Sequence, residues 1–265
     1  MKIPFSKYHG AGNDFVLIDN REGLYHLDTE LIAEICNRRV GVGADGLMLL
    51  ETSQDTDFQM VYYNSDGRTA EMCGNGARCI VAFAKRLGII GSETTFQATD
   101  AKHTATIVEW TDASAVVKLA MSVNETPKNC LNGFFINTGV PHYVDFVEDI
   151  KNYNVFENGR KLRNDSVFAP AGTNVNFVEQ TADNQIFVRT YERGVEDETL
   201  SCGTGVTASA LVWAEKEKLK SGKVSVKTLG GDFSVYFAKS SNSDVYDEVF
   251  LQGPAKLVFD GVWFG

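Results

Sequence analysis

Cys73 and Cys202 are the residues whose setting in this chain invites chemistry. Cys73 lies in Met72-Cys73-Gly74-Asn75-Gly76-Ala77-Arg78, and Cys202 in Ser201-Cys202-Gly203-Thr204-Gly205-Val206-Thr207. Each is a Cys-Gly-x-Gly step that feeds a helix-like run. A thiol at the start of a helix is acidified, because the leading backbone N–H groups and the helix dipole favour its anion. One such thiol reads as a nucleophile; two matching thiols read as a pair sharing one substrate. Inverting a carbon that carries an acidic C–H beside a carboxylate needs such a pair. One residue removes the proton on one face and the other delivers a proton to the opposite face. A thiol with an ordinary pKa near ~8.5 is readily brought toward neutrality at a helix start. The glycines leave backbone N–H groups open to the carboxylate on which the carbanion charge collects. The two sulfurs are expected to straddle one carbon, with reacting atoms ~3–3.5 Å apart.

Other residues could hold such a substrate. In Tyr191-Glu192-Arg193-Gly194, Arg193 can grip a carboxylate bidentately and Glu192 can hold an ammonium, a combination that fits a zwitterionic amino-acid group. Asn13, Asn64, Asn75, Asn174 and Asn176 recur at turn-like sites, and an amide can serve both ends of a zwitterion. His142 is a candidate proton relay to a thiol. Cys36 and Cys79 fall inside helical apolar patterns and Cys130 in a loop, so they read as ordinary free thiols. The cysteine count is odd, and neither the cysteines nor the four histidines show metal-ligand spacing. No metal is expected.

The elements that must present these residues repeat. The two cysteines lie 129 positions apart (202 less 73), and other stations share that offset. Gly43-Ala44-Asp45 corresponds to Gly172-Thr173-Asn174, Tyr62 to Tyr191, and Gly10 to Gly139. A shared register implies two copies of one unit. Strands are expected at 15–19, 58–63, 94–98, 104–109 and 116–120, then at 134–137, 143–147, 175–179, 186–191, 224–228, 233–237 and 248–252. Helices are expected at 28–39 with Asp28 as N-cap, at 74–87 stopped by Gly88, and at 203–218. Asp66-Gly67-Arg68, Gly230-Gly231 and 240–243 read as turns, and Glu71 as serving the start of the second helix. The long helices are apolar enough to be buried. Each half is therefore expected to be a curved sheet about a central helix, an α/β (α+β) fold with the active site in the cleft between two pseudo-symmetric domains. The expected domains are 1–121, joined by 253–265, and 122–252.

Composition narrows the partners. Lys plus Arg is 25 and Asp plus Glu 35, for a net charge of −10. An acidic chain without a basic run argues against nucleic acid and anionic membrane. No apolar stretch approaches the ~20 residues of a membrane span, and no export signal is evident, so the cytoplasm is the expected compartment.

The blocks His9-Gly10-Ala11-Gly12-Asn13-Asp14-Phe15, Tyr63-Asn64-Ser65-Asp66-Gly67, Glu71 through Cys79, Tyr191-Glu192-Arg193-Gly194 and Cys202-Gly203-Thr204-Gly205 together resemble the diaminopimelate epimerases, in order and over essentially the whole chain. The resemblance implies cofactor-independent interconversion of LL- and meso-diaminopimelate, in lysine and cell-wall biosynthesis, with Cys73 and Cys202 as the proton-transfer residues. It implies that Asn13 lies near the reacting centre and that Gly74, Asn75, Gly203 and Thr204 give backbone N–H groups to its carboxylate. It implies that Asn64, Asn176, Glu192 and Arg193 bind the distal end. A homodimer is a candidate assembly. The chain departs from the family pattern in having Val140 where an Asn is common before Pro141-His142, and Gly46 where some relatives carry Gln. It is also one residue longer than the family pattern in 194–199. A proline or hydroxyproline racemase is the nearest rival, since it uses the same paired-thiol logic on a small ring. A ring with one carboxylate needs no distal clamp, however, and Asn64 and Tyr191-Glu192-Arg193-Gly194 are present. A metabolite-binding relative without activity is disfavoured because both thiols are retained.

Overall fold

The computed structural model describes residues 2–70, 72–241, 243 and 245–265. The expectations for Glu71, and for Asn242 within the turn 240–243, lie outside these residues. The chain divides into two compact units, Met1–Leu119 with Gly253–Gly265, and Ala120–Gln252.

In the first unit the elements run β1 (Lys2–Gly10), β2 (Asn13–Asp19), α1 (Thr29–Cys36), β3 (Gly46–Glu51), β4 (Phe58–Asn64), α2 (Gly74–Arg86), β5 (Glu93–Gln97), β6 (Lys102–Thr111) and β7 (Ser114–Ala120). The pairs β1–β2, β3–β4, β5–β6 and β6–β7 are antiparallel, whereas β2–β3 and β4–β5 are parallel. Residues 256–264 of the last strand, Tyr246–Phe264, return to pair antiparallel with β1.

The second unit contains β8 (Lys128–Cys130), β9 (Gly133–Asn137), β10 (Pro141–Phe146), α3 (Val155–Arg163), β11 (Asn174–Ala182), β12 (Gln185–Glu192), β13 (Asp197–Thr199), α4 (Gly203–Lys216), β14 (Ser221–Lys227), β15 (Asp232–Lys239) and the start of β16 (Tyr246–Phe264). Its pairing senses repeat those of the first unit. The pairs β9–β10, β11–β12, β14–β15 and β15–β16 are antiparallel; β10–β11 and β12–β14 are parallel. The offset of 129 also holds for backbone strain: Gly43 and Gly172 have φ of +78° and +68°, and Gly67 and Glu196 have +83° and +59°. A positive φ is costly for most residues, so its recurrence in register marks the same turn used twice.

In each unit the strands are covered on two faces. Helix α2 packs on β1, β2, β3 and β6, and α4 on β9–β12, β14 and β15. On the other face, Ile32 and Ile35 of α1 join Phe5, Val16, Ile18, Leu47 and Leu49. Val155 of α3 likewise joins Tyr143, Val175, Phe177, Phe187 and Tyr191. Fully burying each such side chain stabilises by ~1.5–3 kcal/mol. Strand β3 is buried on both sides and shows no polar alternation, which is why periodicity alone does not find it. Strand β1 escapes the pattern because Pro4 interrupts it. Helix α3 is a polar segment with Gly159 at its middle, where a Cβ would run into the Tyr191 side chain.

Helix boundaries follow local chemistry. Asp28 caps α1 by accepting from Leu31 N–H at 2.9 Å. The helix ends at Cys36 rather than at residue 39, because the Asn37 side chain captures the N–H groups of Arg39 and Val40 and turns the chain away. Gly88, at φ +72°, receives the end of α2 as expected. The end of α4 is received instead by Lys218 at φ +58°, two residues after the helix stops.

Candidate active site

Cys73 and Cys202 occupy the N-cap positions of α2 and α4, with φ/ψ of −112°/124° and −121°/113°. Neither side chain spends itself capping the helix. The leading N–H groups of a helix have no intrahelical partners and carry the positive end of its dipole. Each thiol therefore stands beside a donor cluster suited to an anion. Gly76 lets Met48 of β3 lie against the first turn of α2, since a Cβ there would meet Met48 Cε. Gly205 does the same for Asn176 and His142 beneath α4.

In the first unit, Cys73 Sγ lies 3.6 Å from Asn13 Oδ1. Asn13 Nδ2 donates to Asp45 Oδ2 at 2.7 Å, and Asn75 Nδ2 donates to Asn13 Oδ1 at 3.4 Å. Asp14, next in sequence, pairs with Lys7 at 2.7 Å and Arg38 at 2.6 Å. Burial pushes the Asp14 carboxyl up, but the bonds from Arg38 and Lys7 outweigh it and hold the pKa at about 2. Lys7 also donates to Gly43 O. Arg78, one turn into α2, is completely buried. Its guanidinium donates to Gly74 O at 3.0 Å, Asn75 Oδ1 at 2.7 Å and Pro254 O at 3.3 Å. Burial lowers its pKa to about 10, which leaves it a cation at neutral pH. An arginine inside an otherwise apolar helical face is the sequence signal that would have found it.

In the second unit, Cys202 Sγ lies 3.4 Å from Thr204 Oγ1. Thr204 Oγ1 lies 2.9 Å from His142 Nε2, and His142 Nδ1 lies 3.1 Å from Asn176 Nδ2. Thr138 donates to the Thr204 carbonyl at 2.9 Å. Burial, helped by the Arg193 charge, lowers the His142 pKa to about 3 and keeps the ring neutral. His142 Nε2 and the Cys202 sulfur are thus joined through one intervening hydroxyl.

The expectation for Asn176 is corrected. It was placed at the distal end of a substrate, but it is fully buried and its amide is used within the protein. Asn176 Nδ2 also donates to Tyr143 O at 3.0 Å, and Oδ1 accepts from Thr190 at 3.0 Å. The alternation of β11 turns this side chain inward under α4. Asn174, two residues earlier, binds the Tyr-Glu-Arg-Gly turn through Arg193 N–H at 2.8 Å. Glu192 ends β12 and Arg193 follows it in the turn, both half-buried, with an Arg193 guanidinium N–H 3.4 Å from Ala171 O. Asn64 is exposed at the end of β4, beside the Gly67 turn.

The fold and the paired thiols define a class of protein: two matching sheet-and-helix units, each with a cysteine at the start of its buried helix. Solved structures show this fold at low identity. A phenazine biosynthesis protein of the PhzF family from Bacillus anthracis matches with TM-score 0.78 at 15% identity, over 100% of both chains. A hydroxyproline epimerase from Agrobacterium vitis matches with TM-score 0.68 at 14% identity, over 98% of this chain and 92% of the other. The sequence narrows the class. The family model for diaminopimelate epimerase matches residues 5–120 and 134–258. The diaminopimelate epimerase of Flavobacterium psychrophilum is 48% identical, over 96% of this chain and 97% of its own length. That of Chlorobaculum tepidum is 42% identical, over 95% and 98%. The chain belongs to the diaminopimelate epimerase family, whose members are isomerases. No helix among the described residues is long and apolar enough to cross a membrane.

Proposed function

We propose that this protein interconverts LL- and meso-diaminopimelate without a cofactor, with Cys73 and Cys202 as the acid–base pair. The observation that carries this reading is the duplication of one device: an N-cap cysteine, uncommitted to its own cap, heading an equivalent buried helix in each unit. One thiol takes the α-hydrogen as a proton, and the other returns a proton to the opposite face. Backbone N–H groups at Gly74, Asn75, Gly203 and Thr204 stabilise the charge that develops on the adjacent carboxylate. Asn13 lies beside the reacting centre through its contact with Cys73. Arg193, Glu192 and Asn64 hold the second amino-acid centre. Identity of 48% to a diaminopimelate epimerase, against 14% to the hydroxyproline epimerase, favours this substrate over a proline-type ring.

A cytoplasmic location and a homodimeric assembly belong to the same reading; light scattering on the purified protein tests the second. The function is tested by incubating the protein with LL-diaminopimelate or L-proline, without pyridoxal phosphate, and resolving the stereoisomers by chiral chromatography. The reading requires meso-diaminopimelate to appear and proline to remain unchanged. It also requires loss of turnover in both Cys73→Ala and Cys202→Ala. Turnover of proline alone, or full activity in either variant, contradicts it.

A further inference from the structure

Asn13 and Asp45 stand at the starts of neighbouring strands. Strand β2 begins at Asn13 and β3 at Gly46, and the two run parallel with Phe15 opposite Gly46. The tight turn Ala11-Gly12, with φ of +55° and +92°, delivers Asn13 from β1. Asp45 N–H donates to Asp14 O at 3.0 Å, which ties the residue before β3 to β2. The two side chains consequently share one end of the strand pair.

The Asp45 carboxylate meets donors on both oxygens. Oδ2 accepts from Asn13 Nδ2 at 2.7 Å and from Asp14 N–H at 3.2 Å, and Oδ1 accepts from Arg38 Nη2 at 2.8 Å. Arg38 is itself anchored on Asp14 through both arms of its fork, at 3.1 and 2.6 Å, and Asp14 on Lys7 at 2.7 Å. A carboxylate only accepts, whereas an asparagine amide has a donor end and an acceptor end. Asn13 therefore meets Asp45 with Nδ2 and turns Oδ1 the other way. There Oδ1 lies 3.6 Å from Cys73 Sγ and accepts from Asn75 Nδ2 at 3.4 Å. The reversed amide would set its oxygen against a carboxylate oxygen.

The second unit repeats the arrangement with other side chains. His142 lies 129 positions after Asn13. Tyr143 O accepts from the Asn176 amide and Thr190 donates to it, which fixes its two ends. Asn176 Nδ2 also donates to His142 Nδ1 at 3.1 Å, so the single hydrogen of the neutral ring sits on Nε2, the atom 2.9 Å from Thr204 Oγ1. In each unit, the side chain at this station is oriented from behind by a polar group at the neighbouring parallel strand.

We propose that Asp45 is a positioning residue for the epimerisation, and that it acts through Asn13 by fixing which end of that amide faces the first thiol. This rests on the reading of Cys73 as one of the acid–base pair, with Asn13 beside the reacting centre. The Asp45 side chain is 45% exposed, so water reaches the partners that its removal would leave. Water both donates and accepts, and so supports either orientation of Asn13. The Asp45 carbonyl accepts from Ser65 N–H at 3.1 Å, next to Asn64, and this main-chain bond does not depend on the side chain. The cost of losing the carboxylate is therefore expected in kcat, with KM and stability close to those of the parent.

The test is a double-substitution cycle on the whole protein, with steady-state turnover of LL-diaminopimelate as the readout. Asp45→Ala should lower kcat about fivefold or more, with KM within about twofold. Asn13→Ala should lower kcat as well, and in that background Asp45→Ala should lower it by less than about twofold further, because no amide is left to orient. Asp45→Asn has one oxygen for two stations that both donate, so its kcat should fall between those of the parent and Asp45→Ala. A parent-like kcat in Asp45→Ala overturns the proposal, as does a raised KM with kcat preserved. An equal loss with and without Asn13 also overturns it, since a charge or packing effect of Asp45 would not need the amide. Should Asp45→Ala fail to fold, Asp45→Asn takes its place in the cycle, and a parent-like kcat there overturns the proposal. Should Asn13→Ala leave no measurable turnover, NMR of isotope-labelled protein decides. The Asn13 side-chain amide, assigned by its loss in that variant, should have one hydrogen shifted downfield by the carboxylate and moved upfield in the Asp45 variant; an unmoved pair overturns the proposal. Absence of turnover in the unaltered protein defeats the proposed function, whereas turnover with independent losses defeats only the role of Asp45.

Discussion

Replacing Asn176 with Leu distinguishes a residue that supports the thiol from one that binds substrate. Leucine is close to asparagine in size but makes none of its hydrogen bonds. The substitution removes the bonds from Nδ2 to His142 Nδ1 and Tyr143 O, and the one from Thr190 to Oδ1, all inside a region closed to water. At about 1 kcal/mol net each, their loss costs ~3 kcal/mol. The His142 nitrogen and the Thr190 hydroxyl are then buried without these partners, which raises the expected cost to about 3–5 kcal/mol. That is a large part of the ~5–15 kcal/mol that holds a typical domain folded. Urea unfolding followed by far-UV circular dichroism measures it as a lower midpoint at unchanged slope. With His142 no longer fixed as an Nε2 donor, kcat for LL-diaminopimelate should fall more than tenfold while KM stays within about twofold. A variant as stable as its parent to within about 0.5 kcal/mol, with KM raised and kcat preserved, would refute this reasoning and return Asn176 to the distal pocket.

Asp14→Asn tests the pH dependence of stability. The folded carboxyl has its pKa lowered from 3.8 to about 2, so the stability that Asp14 contributes is full above about pH 4 and is lost as the pH falls through about 2. With the side chain only 17% exposed, the gap between parent and variant should be about 2 kcal/mol at pH 6 and should close between about pH 4 and pH 2. Denaturant melts at both ends of that range measure it, and a gap independent of pH would contradict the pairing with Lys7 and Arg38. Arg193→Ala should raise KM for diaminopimelate at least tenfold with a smaller effect on kcat, in steady-state kinetics; unchanged constants would leave Arg193 a structural residue. Gly205→Ala places a methyl against the Asn176 amide, and calorimetry should show it destabilised by about 1–3 kcal/mol.

Much of the fold is legible because punctuation and periodicity agree. Asp28, Gly88, the Gly67 turn and the Gly230-Gly231 hairpin each mark a real boundary with its own hydrogen bonds. The repeat at 129 is visible in a handful of glycines, and the pairing senses extend it to nearly every strand. The elements that escape do so for physical reasons. Strand β3 is hidden because two helices cover it and erase its alternation. Helix α3 is hidden because Asn154 and a packed Gly159 make it look like a loop. The thiols could be read from their glycine context, but what surrounds them could not. In sequence Asn176 reads as a distal substrate residue and Thr204 as a backbone donor at a helix start, and only the inward turn of β11 brings the amide under His142. Arg78 shows itself only as a charge out of place, and its partners lie at Gly74, Asn75 and the distant Pro254.

The central claim is that two thiols, and nothing else, move the α-proton. It is tested most directly by following the substrate α-hydrogen in deuterated water with LL-diaminopimelate as the starting isomer and no pyridoxal phosphate. The account predicts that the first meso product carries one solvent deuterium at the inverted centre, that added pyridoxal phosphate changes nothing, and that exchange into product stops in Cys73→Ala and in Cys202→Ala. Product that retains the original hydrogen, or exchange that survives in either variant, would contradict it.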